Sequence, residues 1–320
     1  MKTIILGGSG LLGTMLARSL QAQGREVVVV SRRTAAEGPW RVVAWDGESL
    51  GEWAREFEGA DAVINLAGRS VNCRFTPENR RQVMDSRTES TRVVGEALAR
   101  AARPPRVWLQ AATATIYAHR FDAANDETTG LLDSGGSEFP DTWRFSTEVA
   151  KSWERAINEA ETPRTRKVIL RISIVMTPER GGAFDTLLGL VRWGLGGRNG
   201  SGRQYVSWIH GEDFTRAVVW LLEREDLSGP VNLAAPNPLP NAEFMRGLRA
   251  AWGQRIGLPA TEWMIEIGTR LMRTESELVL KSRRVVPGRL LAGGFAFNFP
   301  TWPEAAKDLC RRWREQQGDG

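Results

Sequence analysis

The residues most suited to chemistry stand at the start of the chain, in Gly7-Gly8-Ser9-Gly10-Leu11-Leu12-Gly13, directly after the apolar run Thr3 to Leu6. Gly7 permits the positive φ of a tight turn, Gly10 lets the backbone approach a pyrophosphate, and Gly13 lets a following helix pack against its strand. Leu11 and Leu12 would open that helix, whose N-terminal N–H groups attract an anion. The next strand is the β-branched run Val27 to Val30, followed by Ser31-Arg32-Arg33. At this place in a dinucleotide fold a carboxylate accepts a free 2′-hydroxyl, whereas arginine favours a 2′-phosphate. The pattern points to NADP over NAD; the alternative is that Arg32 and Arg33 are solvated loop charges.

Elements of the right kind surround this turn. Leu12, Met15, Leu16 and Leu20 share one helical face, and Gly24 suits the helix end. Strand-like and helix-like segments then alternate: Arg41 to Ala44, a helix near Leu50 to Phe57, the strand Ala62 to Asn65, a long helix from Pro77 to Ala101, the strand Val107 to Ala112, a helix near Ser146 to Ala160, and a strand from Lys167 to Met176. Such alternation predicts an α/β protein with a Rossmann-type doubly wound parallel sheet. The small-residue turn Leu66-Ala67-Gly68 follows a strand C-terminus, where open α/β sheets bind ligands. Residues 120–142, rich in Asp, Gly, Ser, Thr and Pro, read as a loop over the site. The expected division is a dinucleotide-binding domain over 1–176 and a smaller substrate lobe over 177–320, with 213–233 returning to the sheet through Gly229 to Leu233. Residues 241–290 read as mostly helical, with Asn241 as an N-cap.

Composition narrows the possibilities. With 320 residues the chain has ample material for a large core. Its 43 basic residues are dispersed among 38 acidic ones, so the net charge of +5 reads as solvated helix faces, not as a nucleic-acid surface. Two histidines exclude a histidine-rich metal site. Cys73 and Cys310 have neither disulfide-framework nor zinc spacing. No apolar stretch approaches a membrane span and the chain opens on a strand, so the cytoplasm is the expected location.

With these segments in order, the chain resembles the short-chain dehydrogenase/reductase superfamily, of the extended, epimerase-like kind. More narrowly it is similar to the YfcH-like "epimerase family protein" group, which carries its own C-terminal domain. The resemblance runs nearly end to end. It rests on Gly7 to Gly13, Asn65-Leu66-Ala67-Gly68, Asp85-Ser86-Arg87, Gly194 to Gly197, Gly200 to Gln204, Ser207-Trp208-Ile209-His210, Asn241 to Phe244 and Arg284 to Pro287. It implies that Ser31 and Arg32 hold the adenosine phosphate and that Leu66 and Ala67 line the ribose. It further implies that Asp46 meets the adenine edge, that Arg87 reaches the cofactor, and that Val175 lies near the nicotinamide. Asp46 is equally read as an N-cap, and Arg87 as half of a salt bridge.

In the wider superfamily a tyrosine acts as acid/base, a lysine four residues on lowers its pKa, and a serine or threonine orients the substrate. Thr113 matches the orienting residue. Aligned on Glu154, however, Ser146 and Ala150 stand at the tyrosine and lysine positions; a shift of one offers Thr147 and Lys151, still without tyrosine. Tyr117 is the one tyrosine near the expected site and is the candidate replacement acid. Arg203, Trp208 and His210 are the expected substrate-lining residues. Two functions follow: an NADP-dependent oxidoreductase or epimerase-like enzyme on a small polar substrate, or a nonenzymatic NADP-binding sensor. Monomer and homodimer both remain open.

Overall fold

A computed structural model describes residues 1–33, 38–271 and 274–318. In chain order the first half contains β1 (Lys2–Leu6), α1 (Leu11–Ala22), β2 (Glu26–Ser31), β3 (Arg41–Ala44), β4 (Ala62–Asn65), α2 (Pro77–Arg100), β5 (Val107–Thr113), α3 (Asp141–Glu159) and β6 (Arg166–Ile172). The second half adds β7 (Ile174–Met176), α4 (Ala183–Arg192), β8 (Tyr205–Val206), β9 (Trp208–His210), α5 (Gly211–Glu223), β10 (Gly229–Leu233), β11 (Leu239–Pro240), α6 (Asn241–Trp252), α7 (Glu262–Leu271), α8 (Glu277–Leu280), α9 (Gly288–Ala292) and α10 (Trp302–Gln317).

Seven parallel strands form the main sheet in the order β3-β2-β1-β4-β5-β6-β10. The direction of winding reverses between β1 and β4, where Leu6 is in register with Asn65. A crevice opens there beyond the strand ends, because the two flanking crossovers leave in opposite directions. Both faces of the sheet are covered, which explains strands that are apolar on consecutive residues, such as the buried Val27 to Val30. Leu16 and Leu20 of α1 share one core cluster with Phe214 and Leu221 of α5. Val94 and Leu98 of α2 share another with Ile157 of α3. A third cluster joins α4, α6 and α10 around Phe184, Phe244, Trp302 and Leu309. Each such large apolar side chain contributes roughly 1.5–3 kcal/mol on full burial.

The expected single strand from Lys167 to Met176 is broken. Ser173 caps the carbonyl of Leu233 through its N–H at 3.0 Å and its hydroxyl at 2.7 Å. The chain then leaves the sheet, and β7 pairs in parallel with β9 instead. The segment near Leu50 to Phe57 is a 3-10 helix over Glu52–Phe57. In the span 241–290 four helices alternate with turns; Met272 and Arg273 of that span lie outside the described residues. No helix among the described residues is long and apolar enough to cross a membrane.

Candidate functional site

The glycine turn is shaped by close contacts that only hydrogen can make. Gly7 sits at φ +72°, and a Cβ there would lie 2.8 Å from the backbone nitrogen of Ala67. A Cβ on Gly13 would lie 2.4 Å from Cα of Gly8, so α1 rests directly on the turn. Gly10 is the N-cap of α1, with no capping side chain and no acidic residue in the first turn. Gly10 and Leu11 are exposed. The opening N–H groups of this helix therefore face outward uncompensated, an electropositive cradle of the kind that binds phosphate.

At the end of β2 the buried Ser31 shares a hydrogen bond of 2.6 Å with Ser9 of the turn and accepts from the Arg33 N–H at 3.1 Å. Arg32 and Arg33 are exposed beside it. Asp46 is exposed and closes a local turn, accepting from the N–H groups of Glu48 at 2.9 Å and Ser49 at 2.8 Å. Burial opposes its charge, but these N–H groups outweigh that and hold its carboxyl below the usual carboxylate range. On the opposite side of the crevice, buried Asn65 accepts from the Ala67 N–H at 3.0 Å and donates to Gln110 at 2.9 Å. This clamp sets the path of Leu66-Ala67-Gly68.

Arg87 lies beneath that turn, close enough that a Cβ on Gly68 would meet its Cζ at 3.5 Å. Its side chain is 9% exposed, stacks 4.9 Å from the Trp153 ring, and donates to the Val83 carbonyl at 2.8 Å. No carboxylate pairs with it among the described residues, and burial lowers its pKa to about 10. The Trp153 indole N–H is likewise buried without an acceptor among the described residues. The salt-bridge reading of Arg87 is thereby set aside. A buried cation without a carboxylate partner among the described residues, under the Leu66-Ala67-Gly68 turn, and the uncapped N-terminus of α1 fit an anionic ligand.

Thr113 ends β5 and caps the short 3-10 turn Ala114–Ile116, with its Oγ1 accepting from the Thr115 N–H at 3.1 Å. Val175 lies on β7 opposite Ile209. Glu154 of α3 holds Arg171 of β6 through two hydrogen bonds of 2.7 and 2.8 Å, tying α3 to the sheet. Lys151, offered by the shifted register, reaches the backbone of Ser134 at 3.4 Å. Tyr117 does not fit the role of replacement acid. Its ring is 2% exposed, its hydroxyl accepts from Arg171 at 2.8 Å, and it donates to Asn232 at 3.0 Å. Burial pushes the phenol above its ordinary pKa despite Arg171.

The three residues expected to line a substrate are not brought together. Trp208 is 0% exposed and packs edge-on to Trp302 at 5.0 Å in the third core cluster. His210 is buried as the N-cap of α5, accepting from the Glu212 N–H at 3.1 Å and stacked on Phe299 at 3.9 Å. Its Nε2 lies 3.2 Å from Asp308, within ion-pair distance but out of line for a hydrogen bond. Arg203 alone is exposed. A concavity of about 680 Å³ is lined by the outer residues of α2 and α3, including Glu89, Arg92 and Glu159, and not by the cradle.

One polar cluster escaped the sequence reading. Glu277, Lys281 and Arg283, all buried, pack against Ser146 and Thr147 of α3 and against Asp133. Lys281 Nζ donates to Asp133 at 2.8 Å, to Thr147 at 3.2 Å and to the Thr115 carbonyl at 3.2 Å. Burial draws the lysine below its ordinary pKa, against the pull of Asp133. The loop over 120–142 is thus pinned by the C-terminal part of the chain, through Asp133 and through a bridge between Asn125 and Val285. The only local signal was the run Lys281-Ser282-Arg283-Arg284, which reads equally as a solvated basic face.

Comparison with known proteins agrees with this architecture. Residues 3–234 match the NAD dependent epimerase/dehydratase family, and residues 260–309 match a domain of unknown function, DUF1731. The human epimerase family protein SDR39U1 is 32% identical over 314 residues, covering 97% of this chain and 99% of that protein. The crystal structure of that human protein (isoform 2) with NADPH superimposes with a TM-score of 0.84 at 30% identity, covering 97% of this chain and 99% of the human one. A nucleoside-diphosphate sugar epimerase from Corynebacterium glutamicum gives a TM-score of 0.74 at 25% identity, covering all of this chain (100%) and 61% of that one. The glycine cradle, the parallel sheet with its reversal at β1 and β4, and the end-to-end match together establish that the chain belongs to the NAD dependent epimerase/dehydratase family.

Proposed function

We propose that this protein binds NADPH in the β1/β4 crevice and is an oxidoreductase, or an epimerase-like enzyme, for a small polar substrate. The observation that carries the reading is the uncapped N-terminus of α1 behind Gly7, Gly10 and Gly13, with Arg32 at the end of β2 where a 2′-phosphate would be met. Leu11, Leu12 and Gly13 offer backbone N–H groups to the pyrophosphate. Ser31 and Arg32 take the adenosine phosphate; Asp46, Leu66, Ala67 and Gly68 border the adenosine side. Arg87 and Val175 face the nicotinamide half. That the human relative is crystallised with NADPH supports NADPH as the cofactor.

A reduced nicotinamide supplies a hydride. The chain's own contribution is to orient the acceptor oxygen through Thr113 and to exclude water beneath the 120–142 loop. The substrate lobe is assigned to residues 177–320, with Arg203 as its exposed cation. A nonenzymatic sensor of NADPH is the second reading, favoured by Ser146 and Ala150 at the places of the acid/base pair.

Titration with NADPH and NADH tests the first claim: NADPH binds more tightly, and equal or tighter binding of NADH would remove the Arg32 assignment. A screen for carbonyl-dependent NADPH oxidation separates enzyme from sensor.

A further inference from the structure

Aligned on Glu154, which is fixed to the sheet by Arg171, Ser146 and Ala150 fall at the α3 positions at which the superfamily carries its acid/base tyrosine and lysine. Directly behind Ser146 stands a carboxylate from the C-terminal part of the chain. Ser146 Oγ donates to Glu277 Oε2 at 2.7 Å, across 131 residues of sequence. Glu277 is 1% exposed, and its second oxygen accepts from Arg283 Nη2 at 2.6 Å. Arg283 Nε reaches Thr115 Oγ1 at 3.3 Å, and Thr115 is bonded to Thr113 at 3.1 Å. One continuous polar chain therefore joins the threonine at the end of β5 to the serine at the tyrosine position.

We infer that Ser146 exchanges a proton with the substrate oxygen and that Glu277, delivered by the DUF1731 segment, is the positioning residue that holds that proton behind it. The inference rests on the oxidoreductase reading above. A serine hydroxyl is too weak an acid or base alone and becomes useful when an adjacent group takes and returns its proton. Accessibility divides the roles: Ser146, Thr113 and Thr115 are half-buried, whereas Glu277 and Arg283 are buried. In oxidation the substrate C–H bond gives its hydride to oxidised nicotinamide, the substrate O–H proton passes to Ser146 Oγ, and the Ser146 proton passes along its hydrogen bond to the Glu277 carboxylate, which returns it to solvent through Ser146 after product leaves. Reduction runs the same transfers in reverse, with Glu277 first taking a proton from solvent through Ser146.

The test compares Ser146→Ala, Glu277→Gln, Glu277→Asp and the Ser146→Ala/Glu277→Gln double variant with the wild type and a Lys151→Ala control. NADPH affinity is read by fluorescence, and turnover by NADPH oxidation with benzaldehyde and 9,10-phenanthrenequinone. Ser146→Ala and Glu277→Gln each lower kcat on the order of 100-fold, the span of one acid/base group, and the double variant falls no further. NADPH affinity stays within about twofold, the scale of a group that does not touch the cofactor. The turnover lost in Glu277→Gln returns in Glu277→Asp, and the loss falls on kcat with KM unchanged, a split that a merely structural role would not produce. Full turnover in both single variants with NADPH binding intact overturns the inference and leaves the oxidoreductase reading standing. Wild type that binds NADPH but reduces neither probe overturns both. If Glu277→Gln fails to fold, Ser146→Ala and Glu277→Asp decide the matter.

Discussion

Glu154 and Arg171 are joined in the core by a two-pronged ion pair, Oε1 to Nε at 2.7 Å and Oε2 to Nη2 at 2.8 Å, and the third arm of the same guanidinium holds the Tyr117 hydroxyl at 2.8 Å. Burial opposes the charge on Arg171, yet the carboxylate more than offsets it and keeps the guanidinium above its ordinary pKa. One pair therefore fixes the register of α3, the end of β6 and the position of Tyr117. Removing Glu154 leaves a buried cation behind. Glu154→Ala should destabilise the fold by about 3–5 kcal/mol in urea unfolding, and a loss below about 1 kcal/mol would show that the pair is not load-sharing.

Tyr117→Phe should act on stability and not on turnover. It strands the Arg171 N–H and the Asn232 Oδ1, a cost of about 1–3 kcal/mol. A variant of unaltered stability whose kcat nevertheless collapses would restore Tyr117 as the acid.

Arg87→Met should separate affinity from stability. The guanidinium is buried without a counter-ion among the described residues, so replacing it with an apolar chain should leave the thermal midpoint unchanged or raised. NADPH binding should meanwhile weaken by roughly tenfold or more, the worth of one charge-assisted hydrogen bond. Loss of stability with unchanged affinity would make Arg87 a packing residue.

Gly13→Ala inserts a methyl group 2.4 Å from Cα of Gly8, against the backbone of that residue. The turn must open, at a cost of about 1–3 kcal/mol, and dinucleotide binding should be lost with it. Calorimetry with NADPH reads the effect; binding at wild-type strength would contradict the cradle.

Acid should weaken the fold through both histidines. His210 and His119 are each pulled below their ordinary pKa, chiefly by burial, and each accepts a backbone N–H on Nδ1, from Glu212 and Ser282 respectively. In the unfolded chain they protonate near pH 6.5, whereas in the fold they resist until lower pH. The unfolded state therefore binds more protons, and stability present above about pH 6.5 is lost as pH falls. Unfolding midpoints between pH 8 and 5 should decline in the wild type, and His119→Gln should decline less. Equal slopes would show that His119 does not titrate in this way.

What the chain determined locally was considerable. Gly7 to Gly13, the valine run before Ser31, the Leu66-Ala67-Gly68 turn and the alternation of segments specify a parallel dinucleotide-binding sheet, because turns, β-branched strands and helix faces are set by residues a few positions apart. The tertiary structure alone decided what each candidate side chain touches. Trp208 and His210 looked like pocket residues, but the break at Ser173 draws β7 away to pair with β9, which buries both. Tyr117 looked free until folding set Arg171 and Asn232 against its hydroxyl. Glu277 meets Ser146 through packing of the last part of the chain on α3, and no spacing within either segment encodes that contact. Local propensity makes the elements, whereas desolvation and long-range pairing choose which polar groups are locked in the core and which are left facing the crevice.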